Sequence, residues 1–337
     1  MKSHPVTAFL TKDNLVFSPA YNTNLPAFGL SKPFALDRGI MVLDKLACDL
    51  GATLPYTSPE PLTTQQAALV HSSRYLQSLC DAATWIEIFE LKEAHADESG
   101  RLPGATRPFP ELLEDILLKS GGTLTAAHLA LKSGMAANLG GGYHHAFPDF
   151  GRGFCVINDV AIAVTDLLSR SLVQRAMIVD LDFHQGDGTA FTFAQNPQVF
   201  TLSIHSEEGW PEDKQLSSLD IAVKESEKHL YLDKLEAGLN SALSRFSPDF
   251  VMIVDGSDAY EKDVLPGTKY LRLPLNVVKK RDELVLDTFI DKGIPLASVF
   301  AGGYGPDVWE VHYHATKHLL TRSGITFDTR CDAKTLA

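Results

Sequence analysis

The 337-residue chain has only four cysteines, and none of them forms a CxxC pair. Cys48, Cys80, Cys155 and Cys331 are scattered, which predicts reduced thiols rather than a disulfide framework. No apolar run is long enough to span a bilayer. The start, Met1-Lys-Ser-His-Pro5, lacks the hydrophobic segment of a signal peptide, so a cytoplasmic location is expected. Positive charge is scarce too: 30 Lys and Arg face 42 Asp and Glu, a net charge of −12. That balance argues against direct nucleic-acid binding and against an anionic membrane as partner. Internal repeats and low-complexity tracts are missing. What is there is ample core material, with 45% hydrophobic residues. No Pro/Gly-rich linker divides the chain, so residues 1–337 are expected to form a single domain.

Apolar runs without internal Pro or Gly predict buried strands at Ala176 to Leu181, Val199 to Ile204, Phe250 to Val254 and Ala297 to Ala301. One or two short strands are expected within Val6 to Phe17. Helical periodicity marks Phe34 to Leu50, where Leu36, Ile40, Leu43 and Ala47 recur every 3–4 residues. A second helix is expected from Gln65 to Ala82, with a bend near Val70-His71-Ser72. Another starts at Glu111, and Gly121-Gly122-Thr123 opens a further one to about Gly134. Asn158 or Asp159 caps a helix whose apolar stripe is Val160, Val164, Leu167 and Leu168. Gly51 to Thr64 and the polar run Asp97 to Pro110 read as loops, the latter a mobile surface loop, and His95 reads as a surface residue. Strands separated by helices predict an α/β fold with a mostly parallel central sheet covered on both faces.

The chemistry gathers where strands should end. In Asp180-Leu-Asp-Phe-His184, alternation places Asp180, Asp182 and His184 on one face at the carboxyl end of a strand. Two carboxylates and an imidazole are costly to bury without a cation or hydrogen-bond partners. A divalent metal would meet them, whereas helix capping and a satisfied core histidine are the bland alternative. Gly186 and Gly188 follow as sites for a tight turn. Upstream, Gly140-Gly-Gly142 precedes His144 and His145, which read as metal ligands, a general base pair or loop residues. Phe250 to Asp258 repeats the strand-then-acid pattern, against which stands the ordinary turn chemistry of Asp-Gly. Gly302-Gly303-Tyr304 closes another strand with a phenol that donates into the site or simply packs.

Together these segments resemble the histone deacetylase family of zinc-dependent amide hydrolases, which includes bacterial acetoin-utilisation proteins and acetylpolyamine amidohydrolases. The resemblance runs from about residue 15 to 320. It is carried by Tyr21-Asn22, Val70-His71-Ser72, Gly121-Gly-Thr-Leu124, Gly142-Tyr-His-His-Ala146, Gly153-Phe-Cys155 and Asn158-Asp159. It continues through Asp180 to Gly188, Gly256-Ser-Asp258, Asp263, Leu265, Arg281-Asp282 and Gly302-Gly-Tyr304. Gln185 and the Gly-Gly-Gly-Tyr-His-His run look most like the class IV branch and its bacterial relatives.

The resemblance implies the single-domain arginase/deacetylase-like fold and a role for each matching position. Asp182, His184 and Asp258 would hold Zn²⁺, with Fe²⁺ as an alternative. His144 and His145 would be the tandem catalytic histidines, partnered by Asp180 and Asp187, and Tyr304 would donate to the substrate carbonyl. Gly153 and Phe154 would line an acyl-lysine tunnel, with Trp210 and Leu265 on the opposite wall. Structural K⁺ would lie near the backbone of Asp180, Asp182, His184, Ser203 and Ile204, and a second K⁺ near carbonyls of Phe193, Asn196 and Val199. Lys32-Pro33, where relatives have His-Pro, implies a different entrance or inner channel. Pro266 replaces a glycine after Leu265. Asp255 stands where a small neutral residue is usual and is expected to alter the electrostatics near the metal.

The activity so implied is removal of acetyl or longer acyl groups from protein or peptide lysines. Against it stand an acetylpolyamine or other small-molecule amidohydrolase, a binuclear arginase-like hydrolase and a catalytically silent acyl-lysine reader. An acidic rim at Glu207-Glu208 or the 97–110 loop would favour a cationic small molecule. The tandem histidines and Tyr304 favour one zinc over two metals, and the intact set of polar residues counts against a silent reader.

Overall fold

Short runs of two to eight residues, most of them buried, assemble into one sheet in the computed structural model, which describes residues 12–91 and 93–327. In chain order the strands are β1 (Leu15–Val16), β2 (Met135–Asn138), β3 (Ala176–Asp180), β4 (Val199–Ser206), β5 (Leu219–Val223), β6 (Phe250–Val254) and β7 (Leu296–Val299). Their spatial order is β1-β2-β7-β6-β3-β4-β5, and every pairing is parallel. The mostly parallel sheet expected from sequence is thus parallel throughout its described strands. Alternation splits β3 between two cores: Met177 and Val179 join one, Ala176 and Ile178 the other.

Helices α1 (Arg38–Leu50), α8 (Tyr231–Arg245), α9 (Leu275–Ile290) and α10 (Trp309–Arg322) cover the first face through Val42, Leu235, Val285 and Val311. The second face is covered by α4 (Ala82–Ile88), α5 (Leu112–Ser133), α6 (Asp159–Ser169) and the end of α7 (Asp187–Phe193). The carboxyl ends of β3, β6 and β7 are adjacent, because β6 pairs with both of the others. That edge is where a ligand site of an open α/β sheet is expected.

Several boundaries differ from the sequence reading. The first helix begins at Arg38 rather than Phe34, and Phe34 instead bridges the backbone of Tyr304. Residues 65–82 form two short helices, α2 (Thr64–Ala67) and α3 (Ser73–Ser78), rather than one bent helix. The break has a local cause. Ser72 caps α3 by accepting from Tyr75 N–H, and His71 between them is buried with Nδ1 on Phe147 O and Nε2 accepting from Asn158 N–H. Burial first, against the bond to Phe147 O, lowers the His71 pKa to about 4, so it is a neutral structural bridge. The 97–110 loop is present but pinned: Leu102 and Phe109 are buried, and Asp97 accepts from the backbone N–H of Ser99 and Arg101. His95 is exposed in a loop. β2 and β5 were not foreseen; Met-Ala-Ala-Asn has no β-branched residue, and Leu-Asp-Ile-Ala-Val is half-exposed and interrupted by an acid. The strands expected within Val6 to Phe17 appear only as β1, and residues before Lys12 lie outside the described part.

Gly121-Gly122 does not open a new helix. Both glycines lie inside the continuous α5, where neighbours leave no room for a side chain. A Cβ on Gly121 would sit 1.9 Å from Glu60 O, and one on Gly122 would sit 1.9 Å from the Tyr21 hydroxyl. Tyr21 cannot swing away freely, since its hydroxyl donates to Asn138 Oδ1. Gly122→Ala is therefore expected to destabilise the fold by about 1–3 kcal/mol, despite alanine's better helix propensity. A lower urea midpoint at unchanged slope would register it; an unchanged or higher midpoint would refute the packing account.

Cys80 and Cys155 are free, but Cys48 is disulfide-bonded, which corrects the expectation of four reduced thiols. Its sequence neighbourhood carries no spacing that signals pairing. No helix among the described residues is long and apolar enough to cross a membrane.

Candidate metal centre and its pocket

Strand β3 ends at Asp180, so the alternation argument for a shared face stops there. Past that point the loop is shaped by short backbone bonds. Asp180 Oδ1 accepts from Asp182 N–H, Asp182 Oδ1 accepts from His184 N–H, and Asp258 Oδ1 accepts from Phe183 N–H. The result still gathers three of the foreseen residues. Asp182, His184 and Asp258 are buried, with one potential ligand atom from each lying within 4.8 Å of the others. His184 Nδ1 is 2.9 Å from Asp258 Oδ2 and 3.2 Å from Asp182 Oδ1. Asp180 leaves this group and turns to His144.

The donor set suits a divalent cation. Burial disfavours the His184 imidazolium, yet its bonds to Asp182 and Asp258 outweigh this and raise its pKa to about 10. Burial and then the Asp182 charge raise Asp258 to about 6. A buried group of two carboxylates and one imidazole thus attracts positive charge strongly. Bare backbone forms its wall: a Cβ on Gly302 would approach Asp182 Oδ2 to 2.5 Å, and one on Gly256 to 2.3 Å. Carboxylate and imidazole ligands fit Zn²⁺ or Fe²⁺.

Beside this group stand the tandem histidines. Gly141 and Gly142 have φ of 73° and 89°, which turns the chain out of β2. Asp159 fixes that turn, accepting from Gly142 and Tyr143 N–H. The two imidazole rings then lie 4.0 Å apart. His144 Nδ1 is 2.7 Å from Asp180 Oδ2, and His145 Nδ1 is 2.6 Å from Asp187 Oδ1. Their environments separate them. Burial opposes charge on His144, but Asp180 and Asp182 raise its pKa to about 9. Burial and the neighbouring His144 charge lower His145 to about 4. Gly186 and Gly188 supply close approach here rather than the expected turn: a Cβ on Gly186 would lie 2.2 Å from Asp180 Oδ2.

A pocket of about 120 Å³ joins these groups, lined by His144, His145, Gly153, Phe154, Asp182, His184 and Tyr304. Tyr304 is buried, its N–H on Asp263 Oδ2 and its ring 5.7 Å from that of Phe34. Burial, then the Asp258 and Asp182 charges, push its phenol pKa well up, so it is a hydrogen-bond donor. Trp210 lies directly against Gly153 and 4.7 Å edge-on from the His145 ring. Leu265 is half-buried outside the described pocket lining. Glu207, Glu208 and the 97–110 loop are likewise not among the described lining residues. The Lys32 ammonium lies 4.9 Å from the ring centre of Phe154, a lining residue.

The potassium candidates are placed as follows. Ser203 pairs with Asp180 across β3 and β4, with Ile204 next in the strand. The Phe193 and Asn196 carbonyls accept from Asn196 and Val199 N–H in the turn after α7.

Sequence reasoning missed the inner end of the pocket, formed by Arg38, Tyr143, Lys119 and Tyr21. Arg38 donates to the carbonyls of Gly302 and Ala301. Tyr143 lies inside the quoted Gly-Tyr-His-His motif and was left without a role. Nothing local distinguishes Arg38 or Lys119 from ordinary helix-surface cations.

A parallel α/β sheet with an Asp–His–Asp group and two carboxylate-paired histidines at its carboxyl edge is the architecture of the arginase/deacetylase fold. Comparison with known proteins narrows this further. Residues 32–320 match the histone deacetylase domain. The chain is 30% identical to histone deacetylase 2 of Arabidopsis thaliana, over 88% of this chain and 75% of that protein. It is 30% identical to the acetoin utilization protein AcuC of Bacillus subtilis, over 88% of this chain and 78% of that one. An uncharacterized protein of Picosynechococcus is 36% identical over 91% of this chain and 98% of its own length. The chain belongs to the histone deacetylase family, and its family and relatives support deacetylase activity.

Proposed function

We propose that the protein is a zinc-dependent deacylase that removes acetyl or longer acyl groups from lysine side chains of proteins or peptides. One observation carries the proposal: the buried Asp182–His184–Asp258 group shares its pocket with His145, held on Asp187, and with Tyr304. Zn²⁺ held by Asp182, His184 and Asp258, or Fe²⁺ in its place, would polarise the amide carbonyl and lower the pKa of a bound water. His145, neutral and with its Nδ1 proton directed at Asp187, presents Nε2 as the general base. His144, charged beside Asp180, is the natural source of a proton for the departing amine. Tyr304 donates its hydroxyl to the carbonyl oxygen as negative charge develops there. Gly153 and Phe154 form the passage for the lysine stem, with Trp210 and Leu265 as its opposite wall. Structural K⁺ beneath Asp180 and Ser203, and near Phe193, belongs to the same proposal, as does a single catalytic domain.

Tyr304→Phe should lower kcat by roughly 10²–10³-fold, the cost of one oxyanion donor. Zinc content and melting temperature should stay near wild type, because the ring is kept. A fall of less than about threefold per bound zinc would make Tyr304 a packing residue.

The substrate class is tested by turnover of acetyl-lysine peptides, longer acyl-lysine peptides and acetylpolyamines at defined metal content. The proposal expects the highest kcat/KM on an acyl-lysine peptide. Preference for the polyamine would reassign the protein as a small-molecule amidohydrolase.

A further inference from the structure

Asp255 was expected to alter the electrostatics near the metal, and its carboxylate is engaged by Arg281 and lies beside His312. Its Oδ1 accepts from Arg281 Nη2 at 2.8 Å, and both residues are buried. Arg281 is fully enclosed, with its Nε on Asp282 Oδ1 at 2.6 Å. Its remaining hydrogen bonds go to backbone. Nη1 donates to Leu181 O at 3.0 Å and to Gly256 O at 2.8 Å. Those carbonyls lie one residue before Asp182 and two before Asp258. A single planar guanidinium thus ties together the two loops that deliver both carboxylates of the candidate metal centre.

The network extends to the third loop. His312 is fully buried, and its Nε2 is 3.3 Å from Arg38 Nη1, which requires it to accept there. Its proton then sits on Nδ1, 3.7 Å from Asp255 Oδ2. Arg38 in turn holds the carbonyls of Ala301 and Gly302, and Gly302 N–H donates to Asp182 Oδ2 at 2.9 Å. Arg281 and Arg38 therefore grip the backbone on two sides of the same carboxylate, with Asp255 facing both Arg281 and His312.

We propose that Arg281, oriented by Asp255 and Asp282, is a positioning residue that sets the spacing of Asp182 and Asp258 and so the affinity and geometry of the metal they hold. The inference rests on the metal-centre reading above. Buried charges are expensive, and the guanidinium is retained where its fork reaches two carbonyls and two carboxylates at once. Partners of metal ligands typically change metal affinity by about 10–100-fold when altered.

The test uses the full chain with Asp255→Asn and Arg281→Lys. Asparagine keeps volume but removes the charge that orients Arg281; lysine keeps charge but cannot fork. Zinc affinity is read by chelator competition on folded protein in the cold, beside the visible spectrum of the Co²⁺-loaded protein and the melting temperature without metal. The proposal expects zinc affinity to fall by about 10–100-fold in both variants, with altered cobalt bands. Affinity within threefold of wild type and unchanged bands would overturn it, whatever the melting temperature does. If the variants unfold without metal, competition on the zinc-refolded protein decides: affinity lowered by about 10–100-fold supports the proposal, and affinity within threefold, or failure to refold, makes the network a stability device only. A wild-type protein that binds neither zinc nor cobalt would instead sink the metal-centre reading itself.

Discussion

Asp258→Ala is expected to lose bound metal and deacetylase activity together. Asp258 is the one member of the candidate ligand set that comes from a different strand end, after β6. Its Oδ2 lies 2.9 Å from His184 Nδ1, and its Oδ1 holds Phe183 N–H. Removing it leaves two candidate ligands where catalytic zinc sites use three. It also leaves Phe183 N–H without its acceptor and His184 with Asp182 alone, so alanine alone confounds metal loss with instability. Asp258→Asn resolves this, because its amide oxygen still accepts from Phe183 N–H while the charge is gone. Both variants should purify with little metal, and the asparagine variant should keep most of its melting temperature. Metal content near that of the wild type in either variant would remove Asp258 from the ligand set.

His145→Ala is expected to keep its metal and to lose roughly 10²–10⁴-fold in kcat, the range for a positioned general base. His145 is buried between His144 and Trp210, with Nδ1 on Asp187. No other described group in the pocket combines a neutral imidazole with a free nitrogen facing the Asp–His–Asp group. His144 is held charged by Asp180 and Asp182, so it is a poor base at neutral pH. Asp187 keeps a second neighbour, Arg152 Nε at 3.4 Å, which limits the penalty of losing His145. A variant with kcat within about tenfold of wild type, below that range, would take the base role away from His145.

The candidate site at the carboxyl edge of the sheet was legible in the sequence because chemistry and strand pattern coincide there. Apolar runs such as Phe250–Val254 end in acid, and a run of glycines leads into His144 and His145. Those features alone point to a site at the carboxyl edge, and the resemblance then gave each residue a role. The geometry was less legible. Alternation predicted a shared face for Asp180, Asp182 and His184, but the strand stops at Asp180, and loop hydrogen bonds send its carboxylate to His144 instead. The inner pocket escaped notice because Arg38 and Lys119 sit on helices, where a cation is ordinarily a solvated residue. Asp255 was noticed, but its partners were not legible: which way a side chain turns after a strand end depends on tertiary neighbours such as Arg281 and His312. Gly121 and Gly122 were misread for a related reason, since a glycine needed for close packing looks the same in sequence as one that ends a helix.

The most direct test of the central claim is deacetylation of an acetyl-lysine peptide by the purified protein, first stripped by chelator and then titrated with zinc. The account predicts that stripping abolishes turnover and that zinc restores it in proportion to occupancy, with Asp258→Asn failing to recover at the same concentrations. Full turnover by the stripped protein, or no turnover at complete occupancy, would contradict it.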